Sequence, residues 1–192
     1  MKKEFFVNNG IYPPHRIFYS LSMAFCTKSA VRSIIVLNNV FEHLANSETE
    51  NPEEDIDVQS VLDELQNLIV QGAAVARYFW PIRETQQIHA SRASALRDEF
   101  SIGDDNPLRI CKPLRDAMEH FDERLDKYLS KGIVGQIFPQ YLGSEVKRDG
   151  VPQHFFRAYF TDSGTFEMLE ERFEIEPIAT ELIRLNDRLG EI

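Results

Sequence analysis

The sequence lacks the features that mark secreted and membrane-spanning proteins. Its only cysteines are Cys26 and Cys111, which are too few for a disulfide framework, and we expect both to be buried free thiols. The opening residues 1–6 contain no apolar core of a signal peptide. No uninterrupted apolar run approaches the ~20 residues that a membrane-spanning helix needs. These absences predict a soluble, cytoplasmic protein that makes no contact with a membrane.

Standard catalytic and cofactor-binding motifs are also missing. The sequence has no P-loop, no dinucleotide-binding glycine pattern, no His-Glu-x-x-His and no Gly-x-Ser-x-Gly. A di-iron bundle needs Glu-x-x-His pairs on two helices, and no such pair occurs. Four further histidines have no partner at the spacing of metal ligands, namely His15, His43, His89 and His154. We therefore expect neither a metal ion nor a cofactor.

Positive charge is scarce and unevenly distributed. Lys and Arg number 21 against 31 Asp and Glu, so the formal net charge is −10, which argues against broad, nonspecific phosphate binding. Between Ser33 and Ala76 there are nine acidic residues and no Lys or Arg, which we interpret as a solubilising face. The segment from Arg77 to Arg115 has seven Lys and Arg against five acids. Such a separation of signs can steer a partner to one side of a protein.

Helical periodicity is the strongest positive signal. Apolar residues recur at helical spacing in five segments, which predict helices over about 16–45, 56–80, 85–100, 113–130 and 177–189. In the first segment the recurring residues are Phe18, Leu21, Phe25, Ile34, Ile35, Leu37, Phe41 and Leu44. A polar loop, 46–55, follows it.

The second predicted helix has the clearest apolar stripe. It runs from Val58 to Phe79 and is typical of an amphipathic helix. Gly72 lies on this stripe, where a glycine indicates the close approach of another backbone. Trp80-Pro81 ends the helix, because proline disfavours the helical conformation of the residue before it.

An aromatic and β-branched region precedes the last helix. Phe155–Phe160 and Thr165–Phe173 are separated by Thr161–Gly164, whose composition favours a tight turn, so we predict a β-hairpin over about 154–173. The expected fold is a single, mainly α domain spanning residues 1–192. It is a four- to five-helix bundle with the hairpin inserted before the C-terminal helix. An isolated hairpin is marginal in water, so this one should pack on the bundle or on a partner.

The fourth predicted helix contains the candidate catalytic residues Arg115, Asp116 and His120. At about 100° per residue, His120 lies outside the apolar stripe and one turn after Asp116. The carboxylate of Asp116 is expected to stabilise the imidazolium of His120 and to fix its tautomer. Arg115 lies about 140° from His120 on the same helix. One helix therefore does not focus both side chains on one atom, whereas two copies at a symmetric interface could.

These three residues, in the order Arg-Asp-x-x-x-His, resemble the Arg-polar-x(3–5)-His motif of the HEPN superfamily of small helical-bundle proteins. Asp116 occupies the polar position, where Asn is more frequent. Many members are metal-independent ribonucleases, often toxins of toxin–antitoxin or antiviral systems. The resemblance implies a homodimer in which the motif of each subunit lines a shared cleft. It also implies RNA as a partner, and an antitoxin or another protein as a further one.

The activity implied by the resemblance is endonucleolytic cleavage of RNA by its own 2′-hydroxyl. His120 would transfer the protons, since the pKa of histidine lies near neutrality. Arg115 would hold the scissile phosphate and offset its developing charge. The expected products carry a 2′,3′-cyclic phosphate and a 5′-hydroxyl.

A noncatalytic interaction module is the alternative hypothesis. In it, the bundle and hairpin form a homodimer or dock a partner protein, and His120 is a solvated residue paired with Asp116 or Glu123. The two hypotheses differ in whether Arg115 and His120 converge in an open cleft, within one chain or across a dimer.

Overall fold

The structure, a computed structural model, describes residues 11, 13–47, 56–145 and 150–191. The opening residues 1–6 and most of the predicted loop 46–55 lie outside this part. The described α-helices are α1 (Pro13–Asn46), α2 (Val58–Phe79), α3 (Gln87–Phe100), α4 (Cys111–Glu119), α5 (Phe121–Leu129) and α6 (Glu176–Gly190). A short 3-10 helix, Pro107–Ile110, precedes α4. The chain is thus mainly helical, with a small sheet region before its last helix.

The sheet region contains six short strands where the sequence predicted one hairpin. They are β1 (Gln136–Phe138), β2 (Tyr141–Gly143), β3 (Gln153–Phe155), β4 (Ala158–Phe160), β5 (Thr165–Met168) and β6 (Glu171–Glu174). β1 pairs with β3, and a four-stranded sheet has the order β2-β4-β5-β6. The segment predicted as one strand over Thr165–Phe173 turns back on itself at Leu169 and Glu170, whose φ angles are 50° and 74°. β5 and β6 therefore pair antiparallel.

Parallel pairing extends across both sheets. β1 runs parallel to β3 with Gln136 opposite Gln153, and β2 runs parallel to β4 with Tyr141 opposite Ala158. The sequence separation of the partners is the same in both pairs, so the register continues across the break between them. Aromatic rings from both strand pairs form a small core, in which Phe138 stacks on Phe155 at a centroid distance of 5.0 Å.

The main core lies between α1, α2 and α6. The stripe predicted for α2 is buried as expected, and Leu65, Ile69 and Phe79 have no exposed surface. Polar bonds tie α1 to its neighbours: Asn67 Nδ2 donates to Ser33 Oγ at 2.8 Å, and Thr27 Oγ1 donates to Asn186 Oδ1 at 3.3 Å. α1 thus packs on α2 and α6 through small polar residues as well as apolar ones.

The prediction that another backbone approaches Gly72 was wrong. The groups that approach it are side chains. A Cβ at this position would lie 2.8 Å from Cys111 Sγ and 3.5 Å from Leu182 Cδ1. The glycine therefore admits the Cys111 thiol from α4 against the surface of α2. The predicted burial of Cys111 holds, whereas Cys26 is only partly buried.

The helix predicted over 113–130 is divided into α4 and α5. His120 separates them, with φ −109° and ψ 32°, which are not helical values. The backbone N–H of His120 still donates to Asp116 O at 3.1 Å. The two helices therefore follow each other directly, but the residues before and after His120 do not share one helical face.

The outward surface of α1 is unusually apolar. Its residues His15–Asn46 are long and apolar enough to cross a membrane by length and composition alone, although the sequence contains no uninterrupted apolar run of that length. Part of this helix is buried against α2 and α6, and the remainder is exposed. The exposed apolar residues of α1 are Ile17, Phe18, Leu21, Phe25, Ile35 and Val36.

Candidate functional site

Arg115 is held by two carboxylates at the surface of α4. Only 11% of its side chain is exposed, because its neighbours Leu114 and Ala117 are completely buried and draw this face of the helix into the core. Its Nη2 donates to Asp116 Oδ1, and its Nε lies 3.3 Å from Glu119 Oε1. A guanidinium compensated in this way offers little net charge to a phosphate.

Asp116 does not support His120 as the sequence predicted. Its carboxylate accepts a hydrogen bond from Arg115, the residue next to it in the chain. The expected pairing assumed one continuous helix, in which residues four apart lie one above the other. His120 leaves the helical conformation, so its ring does not take that position.

His120 lies in solvent at the junction of α4 and α5. Its side chain is 63% exposed, and Nδ1 lies 3.8 Å from Glu123 Oε1. The prediction that His120 is outside the core is confirmed. Within the described residues, no hydrogen bond or ion pair joins it to Arg115.

A second histidine has the ordered environment that His120 lacks. His154 Nδ1 lies 2.6 Å from the hydroxyl of Tyr128, and its Nε2 lies 3.2 Å from Val134 O. The same hydroxyl donates to Glu170 Oε1 at 3.3 Å. Burial, and then the charge of Glu170, raises the pKa of Tyr128 to about 12. These bonds tie α5 to β3 and to the β5–β6 turn. The sequence indicated no partner for His154, because Tyr128 is distant in the chain.

The outward surface of α1 forms a continuous face, which we call the α1 outer face: Ile17, Phe18, Leu21, Phe25, Lys28, Arg32, Ile35 and Val36. Phe18 is 66% exposed and Phe25 is 73% exposed. Isolated apolar residues are common on protein surfaces, but a contiguous row of large ones marks an interaction site. Periodicity alone did not reveal this face, because the apolar residues of α1 recur on both its buried and its exposed sides.

Two adjoining cavities, which we call the Trp80 groove, lie at the C-terminal end of α2. Their volumes are about 180 and 360 Å³, and both are lined by Trp80, Pro81, Glu84 and Arg109. The guanidinium of Arg109 lies 5.5 Å from the centroid of the Trp80 ring. Trp80 Nε1 is buried and has no hydrogen-bond partner among the described residues. The groove therefore has an aromatic wall, with an unpaired N–H behind its surface.

Cationic side chains surround this groove. Arg77 and Lys112 line the smaller cavity, and Arg97 lines the larger one together with Asp104. Arg97 and Arg109 both reach Asp104 Oδ1, each at 3.5 Å. In the part of the chain that the structure describes, neither Arg77 nor Lys112 pairs with a carboxylate. The uneven charge of the Arg77–Arg115 segment is thus concentrated in one place.

Metal-binding groups do not cluster in the described residues, where no three His, Cys, Asp or Glu side chains come together in a suitable arrangement.

Comparison of the chain with protein-family models, curated proteins and solved structures finds no match.

Proposed function

We propose that this chain is a noncatalytic helical interaction module that pairs with a second copy of itself through the α1 outer face. The observation that carries the proposal is the exposure of six large apolar side chains on one face of α1, while the opposite face is packed on α2 and α6. Removing such a face from water is favourable by roughly 25 cal/mol per Å² of apolar surface. The expected bundle of four to five helices belongs to this proposal, with α1, α2 and α6 at its centre.

A second copy fits this face because the face is complementary to itself. Ile17 and Ile35, like Phe18 and Val36, are about five turns apart and so lie on the same side of α1. In an antiparallel pair with its two-fold axis between residues 26 and 27, Ile17 lies opposite Val36. Phe18 then lies opposite Ile35. Both ends of the interface are thus apolar, and the two-fold axis repeats each contact, as in an isologous interface.

The middle of the same pair joins aromatic and aliphatic groups to cations. Phe25 lies opposite Lys28, and Leu21 lies opposite Arg32. An ammonium over an aromatic ring is attracted by the ring quadrupole, and the methylene stems of Lys and Arg cover apolar surface while their charges stay in water. The two cations are therefore compatible with an apolar interface. They also define the register of the two helices, which two uniformly apolar faces would not define.

Two other occupants of the face are less compatible with the structure. Crossing a membrane would separate Ser33 from Asn67 and Thr27 from Asn186, whose hydrogen bonds hold α1 to the rest of the domain. A net charge of −10 repels anionic lipid surfaces as well as nucleic acid.

The interface is small. From Ile17 to Val36 the face is about 29 Å long and about one helix diameter wide, which is below the size of a standard stable interface. We therefore expect a dimer whose population depends on concentration, rather than an obligate one.

The test is sedimentation velocity over a range of concentrations, comparing wild type with Leu21→Glu/Phe25→Glu. The wild type should shift toward a dimer as concentration rises, and the variant should stay monomeric with an unchanged melting temperature. Ile88→Glu is the matched control, because Ile88 is an equally exposed apolar residue of α3 outside this face. A wild type that remains monomeric, or a variant that dimerises normally, would contradict the proposal.

The ribonuclease hypothesis, with its HEPN resemblance, RNA substrate and antitoxin, stays a prediction. It requires Arg115 to exchange its two carboxylates for a phosphate. In the described residues, the positions of Arg115 and His120 favour the interaction module over it.

A further inference from the structure

We propose that the Trp80 groove binds a small phosphate monoester carried on a flat apolar ring. The groove lies at the end of α2 and shares no residue with the α1 outer face, so this binding is independent of the proposed dimerisation. Three observations point to the class of ligand: an unused hydrogen-bond donor, a local excess of positive charge, and the shape of the two cavities.

The unused donor is the indole N–H of Trp80. Its nitrogen is buried and has no partner among the described residues, and a buried donor without an acceptor destabilises the folded state. Trp and Tyr usually find a partner when they are buried. The nitrogen has almost no accessible surface, so an acceptor oxygen of a ligand reaches it only if the indole ring turns toward the groove; such a bond would give the N–H its missing partner.

The local charge specifies a dianion. Four cations line the two cavities, against the carboxylates of Glu84 and Asp104, which leaves an excess of two positive charges in a protein whose net charge is −10. Two of the cations, Arg77 and Lys112, pair with no described carboxylate. A phosphate monoester carries about −1.5 to −2 charges at neutral pH, which matches this excess, whereas a carboxylate would leave one charge uncompensated.

The two cavities divide the ligand into a charged part and an apolar part. Arg77 and Lys112 belong to the smaller cavity, of about 180 Å³, and they place the phosphate there. The larger cavity, of about 360 Å³, is walled by Phe79, Ala90 and Ala93 and is large enough for a small ring. Arg109 and Trp80 line both cavities, so the phosphate ester bond would pass between them.

The single tryptophan makes this site directly observable. Trp80 is the only Trp of the chain, so intrinsic fluorescence reports on the groove alone. Phenyl phosphate is the simplest molecule with both required parts. We expect it to change the fluorescence of Trp80 saturably, whereas phenol, inorganic phosphate and benzoate each should bind at least about tenfold more weakly, since each lacks one part or one charge.

Variants test the assignment of the charges. Arg77→Gln/Lys112→Gln should weaken phenyl phosphate by about tenfold or more, because charge-assisted hydrogen bonds are the strong ones. Arg83→Gln is the control, since it removes one cation that is close in sequence but lies outside both cavities. Thermal melting establishes that each variant is folded. A fluorescence unchanged by phenyl phosphate up to about 10 mM would overturn the proposal. Equal responses to benzoate and phenyl phosphate, or equal weakening by Arg83→Gln, would overturn it as well.

Discussion

α1 and α2 are the two longest helices, and they differ in how many of their large apolar residues are exposed. In α2 the apolar stripe predicted from periodicity is the buried stripe, and its other face is polar. In α1 two of the three phenylalanines, Phe18 and Phe25, are exposed. Its buried face contains three small polar residues, Ser20, Thr27 and Ser33, beside the apolar ones. The contrast shows that an apolar residue on a helix indicates burial only where the opposite face is clearly polar.

Shape and hydrogen bonding explain the orientation of α1. Small residues such as Ala30 and Ser33 let α1 approach α2 closely, and Asn67 gives the hydroxyl of Ser33 a partner. Turning Phe25 inward would require a wider separation and would leave these polar groups unpaired. The apolar face of α1 is therefore left for contacts outside the domain.

The largest expected effect compares the same substitution in the two helices. Leu65→Ala removes a completely buried side chain of α2 and should lower the free energy of unfolding by about 2–5 kcal/mol. Leu21→Ala, on the outer face of α1, should change it by less than about 0.5 kcal/mol. Urea denaturation at low protein concentration measures both. Equal losses would show that the α1 outer face is covered within the monomer.

Alkaline pH should affect the two thiols differently. Cys111 lies against α2, and burial raises its pKa from 9.0 to about 12; burial raises the pKa of Cys26 in α1 as well. A raised folded-state pKa favours the neutral thiol in the folded state. The stabilisation from Cys111 is therefore complete below pH 9 and is lost as pH rises toward about 12.

The measurement is the free energy of unfolding as a function of pH. Between about pH 8 and about pH 10.5, wild type should lose about 2 kcal/mol more than Cys111→Ala. Cys26→Ala should follow the wild-type curve more closely. Identical curves for wild type and Cys111→Ala would mean that this thiol is accessible to hydroxide in the folded protein.

Gly72→Ala tests the close contact between α2 and the Cys111 side chain of α4. Alanine favours the helix by about 1 kcal/mol, but its Cβ would lie 2.8 Å from Cys111 Sγ, so we expect a net loss of about 1–2 kcal/mol of stability. Gly190→Ala is the control, since nothing lies within 4 Å of a Cβ there. In thermal denaturation, Gly72→Ala/Cys111→Ala should regain part of the stability that Gly72→Ala loses, because the two sites are coupled. If the double variant regains no stability, the loss comes from contact with another neighbour of Gly72.

The smallest expected effect is that of His120→Ala, at a site in neither helix. If the α1 outer face carries the function, wild type and His120→Ala should both leave a labelled RNA pool intact in EDTA. The comparison is informative because His120 is exposed, so its loss should change stability little. Cleavage by wild type alone, with 2′,3′-cyclic phosphate ends, would restore the ribonuclease hypothesis and require Arg115 to leave its carboxylates.

Periodicity predicted the ends of most helices to within a few residues. The end of α2 followed from Trp80-Pro81, and the start of α6 from the apolar spacing after Pro177. The break at His120 was not predictable in the same way, because the residues around it continue a helical pattern on both sides. It shows only in the backbone angles of His120.

The candidate site was less predictable than the fold. Helical spacing placed Arg115 about 140° from His120 but did not predict its partners, Asp116 and Glu119, which pair with its guanidinium on the buried side of α4. The charge excess of Arg77–Arg115 was visible in the sequence, but its concentration around Trp80 depends on the packing of α2, α3 and the 3-10 helix. Likewise β1 and β2 are three residues each, too short for an alternating pattern to reveal them.

The hydrogen bond from Thr27 to Asn186 joins residues 159 positions apart, and this has a consequence for synthesis of the chain. α1 is translated well before its partner α6, whose Asn186 follows Thr27 by 159 residues. At about 5–20 residues per second, the surface of α1 that packs on α6 stays uncovered for several seconds or longer. Until α6 is made, α1 therefore exposes surface on two sides, and transiently exposed apolar surface of this kind makes a nascent chain prone to association.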